Sequence, residues 1–131
     1  MQQFMRNGYR VEGAGKIFHH HLNGAFHDKA SFHDFVMMAP QNMPQEKLNK
    51  SPRYGSGNTD WGAWPKHEHD TIDYKSAEYC IKALTKKRAD KAPLFLAFGV
   101  FKPHSPFFAP QKYHDLYPED IKMPPLNPKD W

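Results

Sequence analysis

Apolar positions change their spacing along the chain, and the changes outline its best-patterned elements. Ala77, Cys80, Ile81 and Leu84 recur three and four residues apart, the period of an amphipathic helix, and Asp70 or Thr71 can cap its start. The spacing predicts a helix over 72–89. After a break at 90–93, the run Leu94-Phe95-Leu96-Ala97-Phe98-Gly99-Val100-Phe101 is apolar on both alternating faces, which is expected of a buried, central parallel strand covered on both sides. Residues 2–7 read as the tail of a helix, because Gly8 stands where a left-handed helix terminus wants it. Residues 9–14 read as a short strand, and Gly13 and Gly15 allow an abrupt turn that sends Lys16 out at its carboxyl end.

Helix, tight loop and buried strand form the second half of a βαβ unit, so the fold class is α/β, with a parallel or mixed sheet and helices on its faces. Two predicted strands are too few for such a sheet. Between them, from about 20 to 70, no period of 2 or 3.6 persists, and Pro40, Pro44, Pro52 and Pro65 punctuate the stretch. A long irregular loop is expected there, of the kind that usually carries function or disorder. Beyond Lys102 the chain is again rich in proline, and it stops at Trp131 without a closing element. The expectation is that residues 1–131 are an internal piece of a larger protein.

Composition narrows the class. A chain of 131 residues holds one core at most, and 12 prolines with a mean hydropathy of −0.83 argue against a helical bundle. The longest apolar run, 93–101, is far short of the roughly 20 residues needed to span a bilayer. No signal-peptide pattern follows Met1. The single cysteine, Cys80, cannot form an intrachain disulfide or a cysteine-based zinc site. A net charge of +4 and a pI near 9.1 mildly favour anionic partners. The cluster Lys86-Lys87-Arg88 with Lys91 reads as a solvated helix end complementing the dipole, since no interleaved aromatics accompany it, and no nucleic-acid partner is assigned.

Ligands of open α/β sheets bind beyond the carboxyl ends of the strands, and two segments follow predicted strands directly. They are Gly15-Lys16-Ile17-Phe18-His19 and Lys102-Pro103-His104-Ser105-Pro106-Phe107. Lysine supplies a fixed charge for an anion, and histidine can hold an oxyanion or move a proton near neutral pH. The set suits transfer of a sulfuryl or phosphoryl group, although taken alone a loop lysine and two loop histidines are more often plain surface residues. His19-His20-His21 and His67-Glu68-His69-Asp70 invite a metal reading, but neighbouring residues on one loop do not converge as three or four ligands must, and no metal site is assigned. In Asp60-Trp61-Gly62-Ala63-Trp64, Trp61 suits either a saccharide-stacking surface or a loop anchored on buried tryptophan.

These residues also carry a resemblance. Asn7-Gly8-Tyr9-Arg10-Val11 followed by Gly15-Lys16-Ile17-Phe18-His19 resembles the sulfatase signature of helix end, Gly-Tyr, strand and Gly-Lys-x-x-His. Ala92-Pro93-Leu94-Phe95-Leu96-Ala97-Phe98-Gly99, then the segment from Lys102 to Phe107, then Tyr113 and Leu116-Tyr117-Pro118, is similar to the iduronate-2-sulfatase-like branch of that family. The helix over 73–84 fits as well, whereas 22–64 matches poorly.

The resemblance implies part of an alkaline-phosphatase-like sulfatase domain, with 1–131 as an internal fragment of it, and hydrolysis of a sulfate ester, expectedly of a sulfated saccharide such as a glycosaminoglycan. The family's nucleophile is a formylglycine made in a Cys/Ser-x-Pro-x-Arg motif, and its usual metal is calcium; both are expected outside this chain, on the rest of a parent sulfatase. Cys80 lacks the Pro and Arg of the motif and reads as a core helix residue, and Asp60 and Asp73 are not taken as metal ligands. By resemblance, Lys16 matches the lysine that contacts formylglycine and sulfate, His19 the histidine on the formylglycine hydroxyl, and His104 the histidine beside the sulfate. His104 is then the expected proton donor to the leaving alcohol, and His19 helps remove a proton so that sulfate is expelled. Lys102 and Trp61 are expected at the substrate, and the family's usual locations are periplasmic, secreted or lysosomal. The alternatives are a phosphoester or phosphonate hydrolase of the same superfamily and a non-enzymatic His-rich module that binds metal or polyanions.

Overall fold

Two parallel strands, β1 (Arg10–Gly15) and β4 (Leu94–Gly99), pair from Arg10↔Leu94 to Gly15↔Gly99, so their carboxyl ends finish level. The computed structural model describes residues 1–19, 28–37, 43–49, 59–89, 91–125, 127 and 129. A third strand, β2 (Asp34–Val36), pairs parallel to β1 on its other side, giving the order β2-β1-β4. A separate parallel pair joins β3 (Trp61–Ala63) to β5 (Phe107–Ala109), with Trp61 opposite Phe107. The fold is thus α/β with parallel sheets.

Helices lie on both faces of the larger sheet. Helix α2 (Ile72–Thr85) covers the side of Glu12, where the Tyr79 hydroxyl donates to Asp34 at 3.0 Å; burial and two neighbouring carboxylates push that phenol well above its ordinary pKa. Alternation along β1 turns Val11 and Gly13 to the opposite side. There α1 (Gln2–Arg6) sets Phe4 4.2 Å from the Phe95 ring, and the rings of Phe32 and Phe35 lie 4.8 Å apart, tilted by 53°, over Gly13. Gly8 closes α1 with φ of 82°, as expected of a helix terminus.

The level strand ends depend on two glycines. Gly15 has φ of 80°, and a Cβ there would stand 2.1 Å from the Gly99 carbonyl oxygen. A Cβ on Gly99 would meet the Lys16 carbonyl oxygen at 2.1 Å. The backbones can therefore cross at contact distance, and the Lys16 N–H donates to the Gly99 carbonyl at 2.8 Å.

Several expectations are corrected. Helix α2 is capped by the Thr71 hydroxyl, which accepts from the Tyr74 N–H at 3.2 Å, but it ends at Thr85 rather than 89, and Lys86 is already extended. Its inward face is Ser76, Cys80 and Ala83, small enough for close packing on β1 and β4, while Ile81 and Leu84 are 60% and 64% exposed. Strand β4 stops at Gly99, and the middle position among the described strands belongs to β1; Phe98 of β4 is 45% exposed. The stretch expected to be an irregular loop contains β2, β3 and the 3-10 turns Lys29–Ser31 and Glu68–Asp70. Its order rests partly on Asp60, a buried carboxylate accepting from the N–H groups of Leu48 (2.8 Å), Asn49 (2.9 Å) and Trp61 (2.9 Å). Desolvation pushes its pKa up, but those donors outweigh it and hold the carboxyl below its ordinary value.

Candidate active site

The first functional segment leaves β1 at Lys16, whose backbone is tied to Gly99 while its side chain reaches over the next strand's exit. The Lys16 ammonium lies 4.8 Å from the centre of the Phe101 ring, a cation–π arrangement. Among the described residues no carboxylate forms an ion pair with Lys16.

The second segment is held from α2. Both oxygens of Asp73 are used: one accepts from the Phe101 N–H at 2.7 Å, the other from the Lys102 N–H at 3.0 Å. Lys102 bends back on its own loop and donates to the carbonyls of Pro106 and His104. Removal from solvent pulls the Lys102 pKa down, partly opposed by nearby Asp73. The His104 ring lies 5.1 Å from that of Phe101, and its Nδ1 is 2.6 Å from the Ser105 carbonyl oxygen. A carbonyl can only accept, so Nδ1 carries the proton and Nε2 is the ring atom that can give or take another.

The two segments share one open depression of about 540 Å³ beyond the carboxyl edge of β1 and β4. Lys16, His19, Lys102 and His104 all line it. Trp61 is not among the lining residues; it stands on β3, 39% exposed, and connects to the second segment through its register partner Phe107, whose N–H donates to the Asp60 carbonyl at 2.8 Å. His20 and His21 lie outside the described residues, and the rings of His67 and His69 stack 5.3 Å apart away from the depression.

Sequence reasoning missed Phe101 and Asp73. Phe101 reads as the last residue of an apolar strand, yet that strand ends two positions earlier, at the glycine matching Gly15, which was the available signal. Asp73 looks like any acidic residue in a first helical turn.

Chemically, the depression combines two ammonium groups with two imidazoles, residue types that can stabilise a tetrahedral oxyanion and move protons. The sequence contains no Cys/Ser-x-Pro-x-Arg run, and Cys80 is buried in α2, where desolvation raises its thiol pKa. Among the described residues no group of three or more His, Cys, Asp or Glu side chains could hold a metal ion. The described residues therefore fit neither a formylglycine nor a calcium site.

No protein-family model matches the chain, and no solved structure matches it significantly. Curated relatives do. A sulfatase of Formosa agariphila is 32% identical over 98% of this chain and 26% of its own length. Iduronate 2-sulfatases of Homo sapiens and Mus musculus are each 29% identical over 95% of this chain and 24% of their own length. The chain thus spans about a quarter of the length of the relatives it matches. Matching order over almost all of the chain, joined to parallel strands that end in the two segments described, leads to one conclusion: this chain is similar to a fragment of a sulfatase.

Proposed function

We propose that this chain supplies the sulfate-holding and proton-transferring part of a sulfatase site that hydrolyses sulfate esters of saccharides. The observation that carries the reading is the meeting of Lys16, His19 and His104 in one depression at the ends of two paired parallel strands. Lys16 binds the sulfate oxygens, where charge accumulates as the ester S–O bond breaks. Lys102 adds its positive field, and with two carbonyls taking protons it retains one donor for a sulfate oxygen.

His104, protonated on both nitrogens, gives its Nε2 proton to the departing alcohol oxygen as that bond breaks. His19 takes a proton at the attacking side. The net reaction consumes water and yields alcohol, sulfate and one proton. The attacking group and the metal that the family uses are not carried by the described residues. Trp61, exposed on β3, offers a face on which a sugar ring can stack.

The test is hydrolysis of matched sulfate and phosphate monoesters by the full-length protein. Turnover of the sulfate ester that falls by two or more orders of magnitude in Lys16→Ala is expected. Preference for the phosphate ester would move the assignment to a phosphoester hydrolase, and binding of heparin without turnover of either ester would leave a polyanion-binding module.

A further inference from the structure

We infer that Asp73 is a positioning residue that sets the place from which His104 donates its proton. The inference rests on the reading of His104 as proton donor. Asp73 sits in the first turn of α2, where a carboxylate normally accepts from its own helix. That task is already done by the Thr71 hydroxyl, which accepts from the Tyr74 N–H. The Asp73 carboxylate instead reaches across to the exit of β4 and takes the N–H groups of Phe101 and Lys102 with one oxygen each.

Those two residues begin the loop that carries His104. Phe101 supplies the ring flanked by the Lys16 ammonium and the His104 imidazole, and Lys102 supplies the ammonium that binds the His104 and Pro106 carbonyls. One turn later on the same helix, Ser76 abuts the site of Gly15: a Cβ there would be 3.3 Å from its hydroxyl oxygen. The opening of α2 thus bears on both strand exits at once, and Asp73 is its hydrogen-bonded grip on the second. The carboxylate is replaceable by no neutral group of equal shape. An asparagine accepts through one oxygen and presents an NH₂ where the other N–H needs an acceptor.

The test is a double-mutant cycle in the full-length protein, read on an alkyl and an aryl sulfate of the same charge. A misplacement of about 1 Å costs on the order of 10²-fold, and a poor leaving group feels the lost proton most. Asp73→Asn is expected to lower kcat/KM about 10²-fold on the alkyl ester and only a few-fold on the aryl ester. In a His104→Ala background the same substitution should cost almost nothing further on the alkyl ester, because the group through which it acts is gone. Equal losses on both esters, or an undiminished loss in the His104→Ala background, would overturn the role, since general destabilisation is blind to the leaving group. If Asp73→Asn does not fold, Asp73→Glu, which keeps the charge but overreaches the two N–H groups, runs the same cycle with the same expected pattern. A wild-type protein inert toward both esters overturns the functional reading and this role together, whereas an active one with an unaffected Asp73→Asn overturns this role alone.

Discussion

The Lys16 ammonium lies 4.8 Å from the centre of the Phe101 ring, which draws a residue leaving β1 over one leaving β4. A partly desolvated cation–π contact is worth about 0.5–2 kcal/mol. Phe101→Leu, which keeps bulk and removes the ring quadrupole, should therefore weaken inhibition by inorganic sulfate several-fold. Lys16→Ala should weaken it more, because the charge itself is lost. An inhibition constant unchanged in Phe101→Leu would reduce the ring to packing.

His104→Ala should slow esters of poor leaving groups far more than aryl sulfates. General acid catalysis contributes roughly 10²- to 10⁴-fold when the departing oxygen needs a proton. A nitrophenolate leaves unaided, so the aryl ester should hide most of that loss, and kcat/KM on both substrates measures it. Similar losses on the two would make His104 a sulfate-holding group instead.

Substituting either glycine at the strand exits should be severe. Gly99→Ala drives a Cβ to 2.1 Å from the Lys16 carbonyl oxygen, and Gly15→Ala adds a positive φ to a 2.1 Å clash with Gly99. Losses of about 3 kcal/mol or more are expected for each, among the largest single-substitution effects. Gly8 is the control: its φ is 82° but nothing lies within 4 Å, so Gly8→Ala should cost only about 1 kcal/mol. Denaturant unfolding of the three variants separates clash from backbone strain.

Asp60 should make stability acid-sensitive. Its folded pKa lies below the ordinary 3.8, so its stabilisation is complete above that value and is lost as pH falls through the lower, folded one. Asp60→Asn should be less stable than wild type at neutral pH, and the gap should narrow below about pH 4. Unfolding midpoints from pH 2 to 7 for the two proteins check this; a constant gap would show that charge is irrelevant to the three N–H bonds.

What the chain reveals by inspection is what local chemistry decides. Gly8, the helix cap at Asp70 or Thr71 and the exit of β1 at Gly15 are legible because capping and left-handed turns demand particular residues. The inward face of α2 is not. Periodicity counts Ile81 and Leu84 as core, but contact with β1 needs small side chains, and Ser76 can be buried because its hydroxyl donates to the Ile72 carbonyl at 2.8 Å. Strands β2 and β3 have three residues each, too few for an alternating pattern to stand out. Lys16 and His104 could be placed at a common sheet edge from their positions after strands, whereas the grip of Asp73 on Phe101 and Lys102 exists only in the folded chain.

The pairing of Gly15 with Gly99 makes strand length, more than strand composition, the quantity under constraint. Each residue added to a strand advances the chain by about 3.3 Å and turns the following side chains to the other face. One residue inserted in β1 would carry Lys16 past Phe101 and point it away, even with every side chain of the depression intact. Substitutions inside β1 and β4 should thus be tolerated wherever volume allows, while insertions and deletions there should be nearly absent from working variants. A library of single-residue insertions would map the site as two silent gaps ending at the same level.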